Sequence, residues 1–287
     1  MAFSPLRPKA LHHGRSLSLP SKLHPAMSQF NENLATMKAA EPTSSSLSSM
    51  VTILHGLRNL YCDLPDLLLL PSIQQIISQE CQEKWIEQVL DGHIRILDAC
   101  STAKDLFSHT KHDVQALLSA LRRRDFHGIQ SYQTSRRRSK KMTQKSLKNL
   151  RSFRSGNGVQ CLDKDQETIS LVYMLKESES VTFAMLEFLL SYVIGTKEQA
   201  RQSGWSLVSK LVLSKKVLHQ VEETDINEFK KVDSFLQLTQ EDDTKVEELM
   251  NHLKEMDSSI QTLEEELECL FRQLIKTRVF LLNILNH

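Results

Sequence analysis

The sequence predicts an all-α protein, a bundle of long helices with a disordered N-terminal tail and a coiled-coil-like C-terminal helix. All seven prolines of the 287-residue chain lie at or before position 71. Because proline breaks helix interiors, this distribution permits long helices in the rest of the chain. A heptad repeat of apolar residues near the C-terminal end is the second indication. The composition, 40% apolar and 25% charged, is typical of a soluble globular protein.

The first part of the chain differs in composition from the rest. Residues 1–31 contain no Asp or Glu, and Ser and Pro are frequent up to residue 45. We expect residues 1–45 to form a disordered tail with a short helix at 27–40, and residues 46–287 to form a single elongated helical-bundle domain. An organellar transit peptide is the weaker alternative. A secretory signal is not expected, because the apolar stretch that such a signal needs is lacking.

The next elements follow from the spacing of apolar residues. Spacings of three and four residues predict a helix over 46–64. A connector bounded by two prolines is expected at 64–71, followed by a short helix at 72–78. A much longer helix is expected over 80–124, with one apolar stripe along its length.

Glycines divide the middle of the chain into further helices. We expect a basic helix at 129–155, which ends at a break at 156–162 that contains the sequence GNG. Two more helices are expected at 163–194 and 197–223, on either side of Gly195.

The C-terminal segment 246–284 has the most regular pattern and predicts a coiled-coil-like helix. Eleven of its twelve a and d positions are apolar, and the exception is Thr277. The pattern does not reveal whether the partner is another helix of this chain or a second chain, so a homo-oligomer remains open. The apolar face widens toward the C-terminus, which favours a multi-helix bundle. The predicted seam consists of Val246, Leu249, Leu253, Met256, Ile260, Leu263, Leu267, Leu270, Leu274, Leu281 and Ile284.

A strongly basic segment is the first candidate for binding. Residues 122–154 contain twelve Lys and Arg but one acid, Asp125, whereas residues 222–268 contain sixteen acids and four basic residues. Pairing of the two segments inside the bundle is the favoured interpretation. Anionic lipid, nucleic acid and nuclear import are the alternatives, and the scarcity of aromatic residues disfavours single-stranded nucleic acid. The candidate basic patch is Arg122, Arg123, Arg124, Arg136, Arg137, Arg138, Lys140 and Lys141.

Patterns of catalytic or metal chemistry are not found in the sequence. None of the five cysteines lies in a C-x-x-C pair, which favours a reducing compartment over a disulfide framework or a zinc site. His109 and His112 share a helix face but lack the further ligands that a structural metal needs. Nucleophile elbows, Walker loops and dinucleotide fingerprints are also missing. We therefore predict a protein that is not an enzyme and has no cofactor.

The tail contains one candidate docking motif. Arg15, Ser16, Ser18 and Pro20 fit R-S-x-S-x-P, the phosphoserine pattern that 14-3-3 proteins recognise. Arg15 lies three residues before Ser18, as basophilic kinases prefer, and a phosphate there would supply charge for an arginine cluster of the partner. An unmodified tail serine is the alternative.

Four blocks of the chain together resemble the plant BYPASS-like family, a plant-specific domain of unknown function, over about residues 12–287. They are GRSLSLPSKLHP (14–25), LDACSTAKDLFSHTKHDVQALLSALRRRD (97–125), SYQTSRRRSKK (131–141) and LEEELECLFRQLIKTRVFLLNILNH (263–287). The resemblance implies a non-enzymatic protein linked to root and shoot development, with no catalytic residues to carry over. It also implies that the protein is cytoplasmic and is not secreted. A peripheral position at a membrane or a nuclear location is the alternative. From the heptad seam and the tail motif we expect an interaction scaffold or regulator that binds other proteins, and the alternative is a peripheral membrane protein that binds anionic lipid through residues 122–154.

Overall fold

The computed structural model describes residues 24–39, 46–79, 84–154, 166–195, 227–238 and 243–286. Within these ranges the chain forms eight helices and no strand, which confirms the predicted all-α class. The tail motif at 15–20, the predicted break at 156–162 and the predicted helix at 197–223 lie outside the described residues. The helices are α1 Pro25–Ala39, α2 Leu47–Leu68, α3 Pro71–Gln79, α4 Lys84–Arg122, α5 Phe126–Arg154, α6 Gln166–Ile194, α7 Glu228–Leu238 and α8 Asp243–Leu285.

The C-terminal helix α8 is the centre of the packing. Its most extensive contacts are with α4 and α2. Of the predicted seam, Val246 and Ile284 at the two ends are partly buried. The heptad seam is therefore used within the chain, where it supplies one continuous apolar contact. The remaining seam residues are buried: Leu249, Leu253, Met256, Ile260, Leu263, Leu267, Leu270, Leu274 and Leu281.

Polar pairs flank the seam and connect α8 to both neighbours. Glu266 pairs with Arg58 of α2 at 3.0 Å, and Glu264 pairs with Lys111 of α4 at 3.1 Å. Lys104 of α4 also pairs with Glu268. Each partly exposed pair adds at most about 1 kcal/mol, so these contacts select the register while the seam supplies most of the stability.

The helices α5 and α6 lie against the other side of α4. Contacts join α4 to α5, α4 to α6, and α5 to α6. The second half of α6, from Val181 to Ile194, is buried over most of its circumference, which explains why its sequence is mostly apolar there. Its Thr182 hydroxyl lies 3.0 Å from the Tyr61 hydroxyl of α2, so the buried tyrosine has a hydrogen-bond partner.

The C-terminal part of the predicted tail, where a short helix was expected at 27–40, forms helix α1. It begins at Pro25 and packs against α2 and α6, so this segment belongs to the bundle. Its buried residues Met27, Phe30, Leu34 and Met37 follow helical spacing and form one apolar face. A segment with such a face can bury enough apolar surface to order its backbone.

Two further differences concern α2 and α7. The helix α2 runs through the predicted connector to Leu68 with Pro65 inside it, because its last turn is held by buried leucines. The helix α7 was not predicted. It begins after Asn227, whose Oδ1 accepts a hydrogen bond from the Phe229 amide at 2.9 Å and whose Nδ2 donates to the Tyr192 carbonyl at 2.8 Å.

The turn between α4 and α5 is a left-handed helix end. Arg124 has φ 50°, its amide donates to the Leu121 carbonyl at 3.1 Å, and the Asp125 amide donates to the Ala120 carbonyl at 2.9 Å. This pair of hydrogen bonds is the Schellman arrangement. Asp125 then caps α5 by accepting from the Gly128 amide at 3.1 Å. The sequence therefore ends α4 and starts α5 within three residues, which makes the two helices antiparallel neighbours.

The seam provides the first prediction. Leu267→Ala should lower the free energy of unfolding by about 2–5 kcal/mol, because Leu267 is fully buried and the substitution leaves a cavity. Ile275→Ala in the same helix is the control, since Ile275 is 43% exposed and should change stability by less than about 1 kcal/mol. Urea unfolding followed by circular dichroism measures both. Equal losses for the two variants would contradict the assignment of the buried face.

Candidate functional site

The basic helix α5 has one face in the core and one in solvent. Its buried residues Tyr132, Thr143, Leu147 and Leu150 lie at helical spacing toward α4 and α6. These few side chains form the contact of α5 with α4 and α6. Most of the basic residues of α5 lie on the opposite face of the helix. The position of α5 at the side of the bundle therefore determines which charges can reach a partner.

Five basic side chains form a stripe along the exposed face of α5, which we call the basic stripe. At 100° per residue they fall within a sector of about 100°, and the stripe is about 17 Å long. Met142, which is 65% exposed, lies beside it. None of the five forms an ion pair with any residue that the structure describes. The basic stripe consists of Arg137, Arg138, Lys141, Lys145 and Lys148.

Two residues of the predicted patch are instead covered by α7. Arg136 is 5% exposed, its Nε lies 3.6 Å from Asp233 Oδ1, and its guanidinium carbon lies 4.7 Å from the centroid of the Phe229 ring. Lys140 donates to the same Asp233 carboxylate at 2.7 Å. Arg136 therefore belongs to the contact between α5 and α7 and is not available to an external ligand.

The three arginines 122–124, at the end of α4 and in the turn after it, differ in their surroundings. Arg122 and Arg123 are exposed, and Arg123 Nη1 donates to the Ser119 hydroxyl at 2.9 Å. Arg124 is the residue of the turn that has the left-handed backbone conformation. The run of three arginines that stands out in the sequence therefore lies at the end of α4 and in the turn, outside the basic stripe.

The expected pairing of the basic helix with the acidic C-terminal segment is largely replaced by other pairs. Acidic side chains of α8 pair with α2 and α4, as described above. Asp233 of α7 is the point at which the acidic segment contacts α5, and Arg151 of α5 pairs with Glu187 of α6. The charges of the basic stripe are consequently left facing solvent.

Buried polar groups in the bundle belong to helix contacts. Burial lowers the pKa of His93 to about 4, with Arg278 and Lys176 acting in the same direction, and its Nδ1 lies 3.2 Å from the Val89 carbonyl. Burial raises the pKa of the Cys100 thiol to about 12, so this thiol is unreactive at neutral pH. Burial also raises the pKa of Tyr61. These side chains pack between helices, and the Tyr61 and His93 rings meet edge to face with their centroids 6.2 Å apart.

The histidine pair of α4 lies on the surface. His109 and His112 are both exposed, and His109 Nδ1 lies 2.6 Å from the Asp105 carbonyl. In the part of the chain that the structure describes, no group of three or more His, Cys, Asp or Glu side chains is placed to hold a metal ion. Across the same residues, no helix has both the length and the apolar character needed to cross a bilayer.

Sequence reasoning found part of the basic stripe and missed the rest. Arg137, Arg138 and Lys141 were in the predicted patch, whereas Lys145 and Lys148 were not. The signal for them was the spacing of three and four residues that continues from Lys141. The burial of Arg136 had no such signal, because it depends on α7.

The contrast between Arg136 and its neighbour gives the second prediction. Arg136→Ala should lower the free energy of unfolding by about 1–3 kcal/mol, because it removes the stacking on Phe229 and a buried side chain. Arg137→Ala, at the exposed neighbouring position, should change it by less than about 0.5 kcal/mol. Urea denaturation measures both variants. If the two variants unfold alike, α7 does not cover α5 in the way described.

One protein-family model matches most of this chain. The family model described as Protein BPS1 matches residues 53–284, which include most of α2, all of α3 to α7 and α8 except its last residue. No curated protein and no solved structure matches the chain. The matched region covers most of the sequence and confirms the BYPASS-like resemblance. The chain therefore belongs to the BPS1 protein family, a plant-specific family of unknown molecular function.

Proposed function

We propose that this protein is a non-enzymatic plant regulator that adsorbs to anionic membrane surfaces through the basic stripe of α5. The observation that carries the proposal is the alignment of Arg137, Arg138, Lys141, Lys145 and Lys148 on one exposed face without acidic partners among the described residues. Solvated charge of one sign on one face produces a directional field that attracts anionic surfaces. A role in root and shoot development is the biological setting that the family suggests.

The strength of this adsorption follows from the number of charges. Each Lys or Arg near an anionic leaflet contributes about 1 kcal/mol, so five contribute about 5 kcal/mol, equivalent to a dissociation constant of about 0.2 mM. Such binding is reversible, and added salt weakens it because ions screen exposed charges. At 0.1 M salt the Debye length, beyond which charges are largely screened, is about 10 Å. The protein would then move between membrane surface and aqueous phase, and a second interaction would be needed to hold it there.

The geometry favours a membrane over single-stranded nucleic acid. Proteins that bind single strands stack bases on exposed aromatic rings. Tyr132 of α5 is 5% exposed and packs into the bundle, and Phe126, 70% exposed at the first residue of α5, is one ring and not the series on which successive bases stack. The exposed side chain beside the basic stripe is Met142, which suits the boundary between headgroups and acyl chains.

Charge reversal on the basic stripe is the third prediction. Lys145→Glu with Lys148→Glu should lower binding to phosphatidylserine vesicles at least about tenfold, because two favourable charges become unfavourable. Lys254→Glu with Lys276→Glu makes the same net-charge change on exposed positions of α8 and should leave most of the binding intact. Vesicle flotation at 0.1 M and 0.5 M salt measures both. Equal losses in the two double variants, or tighter binding to duplex DNA than to vesicles, would refute the membrane role.

A second function, an interaction scaffold, is favoured by the tail motif. Arg15, Ser16, Ser18 and Pro20 have the spacing that 14-3-3 proteins recognise once Ser18 is phosphorylated. A partner held at the tail would supply the second interaction that adsorption through α5 requires, since two linked weak contacts bind more tightly than either alone.

The tail motif gives the fourth prediction. Kinase-treated protein should bind purified 14-3-3, and Ser18→Ala should abolish that binding, because the partner recognises the added phosphate. Ser4→Ala, a tail serine outside the motif, is the control. Pull-down with quantified phosphorylation at Ser18 measures both. Equal recovery of 14-3-3 by the two variants would remove the scaffold role of this motif.

A further inference from the structure

An open cleft of about 770 Å³ lies between α4 and α5. Its size is within the range of small-molecule sites in proteins. Small residues line it where the helices approach each other, among them Ala120 of α4 and Gly128 of α5. A Cβ atom added at Gly128 would lie 2.6 Å from Ala120 Cβ, so the close approach requires glycine there. We call this feature the α4–α5 cleft.

The antiparallel arrangement places basic side chains at both ends of the α4–α5 cleft. Arg123, in the turn directly after α4, and His127 of α5 line it at one end. His112 of α4 and Arg138 of α5 line it about 17 Å further along, eleven residues away along the chain in each case at 1.5 Å per residue. One Arg and one His thus lie at each end, which sequence order alone does not show.

Hydrogen-bond donors of neutral side chains line the space between these ends. They include the hydroxyls of Ser119 and Ser131, whereas the Thr134 hydroxyl, also in the lining, donates to the Gln130 carbonyl at 3.0 Å. The lining also contains one acid, Asp113, whose two oxygens lie 2.9 Å and 2.8 Å from the Ser135 hydroxyl; this neutral donor orients the carboxylate and leaves its charge in place, so the Arg and His side chains at the two ends have to outweigh it. Arginine forks and hydroxyl donors together match the oxygens of a phosphate group, since arginine binds phosphate in a bidentate way.

We infer that the α4–α5 cleft binds a phosphomonoester-bearing ligand of the size of a phosphorylated inositol. The inference rests on the proposed membrane function, and it names the headgroup that this function would select. Arg138 belongs to both the basic stripe and the cleft lining, so the two surfaces are continuous. A membrane in contact with the stripe would therefore present its headgroups at the mouth of the cleft. A free inositol phosphate has the same chemistry and is the other source of such a ligand.

The test uses the full chain and three probes. One set of vesicles contains phosphatidylserine, and a second set of equal surface charge contains phosphatidylinositol 4,5-bisphosphate. The third probe is soluble inositol 1,4,5-trisphosphate, measured by titration calorimetry. We expect at least about tenfold tighter binding to the bisphosphate vesicles, because each charge-assisted hydrogen bond to a phosphate contributes more than one to a neutral group.

The matched variants are two neighbouring arginines. Arg123→Ala should remove most of that preference, whereas Arg122→Ala, an exposed arginine that does not line the cleft, should retain it. His127→Ala is a second variant in the cleft and should weaken the preference in the same way. Because all three side chains are exposed, unfolding midpoints should be close to that of the unaltered protein.

The possible outcomes distinguish a failure of the proposed cleft site from a failure of the proposed membrane role. Preference for bisphosphate vesicles that depends on Arg123 supports a lipid headgroup in the cleft. Binding of the soluble trisphosphate that depends on Arg123, without binding to either kind of vesicle, supports a soluble ligand and removes the membrane role. Salt-sensitive binding to both kinds of vesicle with no preference overturns the cleft and leaves the membrane role in place. Equal losses for Arg122→Ala and Arg123→Ala also overturn it.

Discussion

Burial of the α8 seam between α2 and α4 is the interaction on which the rest of the structure depends. Leu253, Ile260 and Leu267 are completely buried there, and their methyl groups leave water along most of a 43-residue helix. Because α8 contacts both α2 and α4, it determines how these two long helices lie relative to each other. The flanking pairs, such as Glu266 with Arg58, then select one register out of those that the apolar seam would tolerate.

The same packing decides how charge is distributed over the molecule. Acids of α8 find partners on α2 and α4, so among the described helices α5 has no acidic helix that matches it along its length. Asp233 of α7 pairs with Arg136 and Lys140 but does not pair with the basic stripe. In the described part of a protein with a net charge of +1, α5 therefore presents a strongly basic face. If the proposed adsorption occurs, this face would orient the protein toward the anionic surface.

The connection between α4 and α5 joins this charge to a shaped surface. The left-handed residue Arg124 and the cap at Asp125 reverse the chain in a minimal number of residues. Gly128 then lets the helices touch at the base of the α4–α5 cleft. A short turn between two long helices thus provides both the basic end at Arg123 and the groove beside it. Rigid helices position such groups better than a loop would.

The sequence by itself determined the all-α class, the boundaries of α3 to α6 and α8 within a few residues and the buried face of α8, because helical periodicity and the lack of proline after residue 71 are local properties; it did not predict α7. Three of the five residues of the basic stripe followed from the run of basic residues in the sequence, whereas Lys145 and Lys148 were missed. Only the tertiary structure decided that the seam packs within the chain and that α1 joins the bundle. It likewise decided that Arg136 is buried while Arg137 is exposed. These outcomes depend on contacts between residues far apart in the chain, and no local pattern records which of several compatible apolar faces will meet.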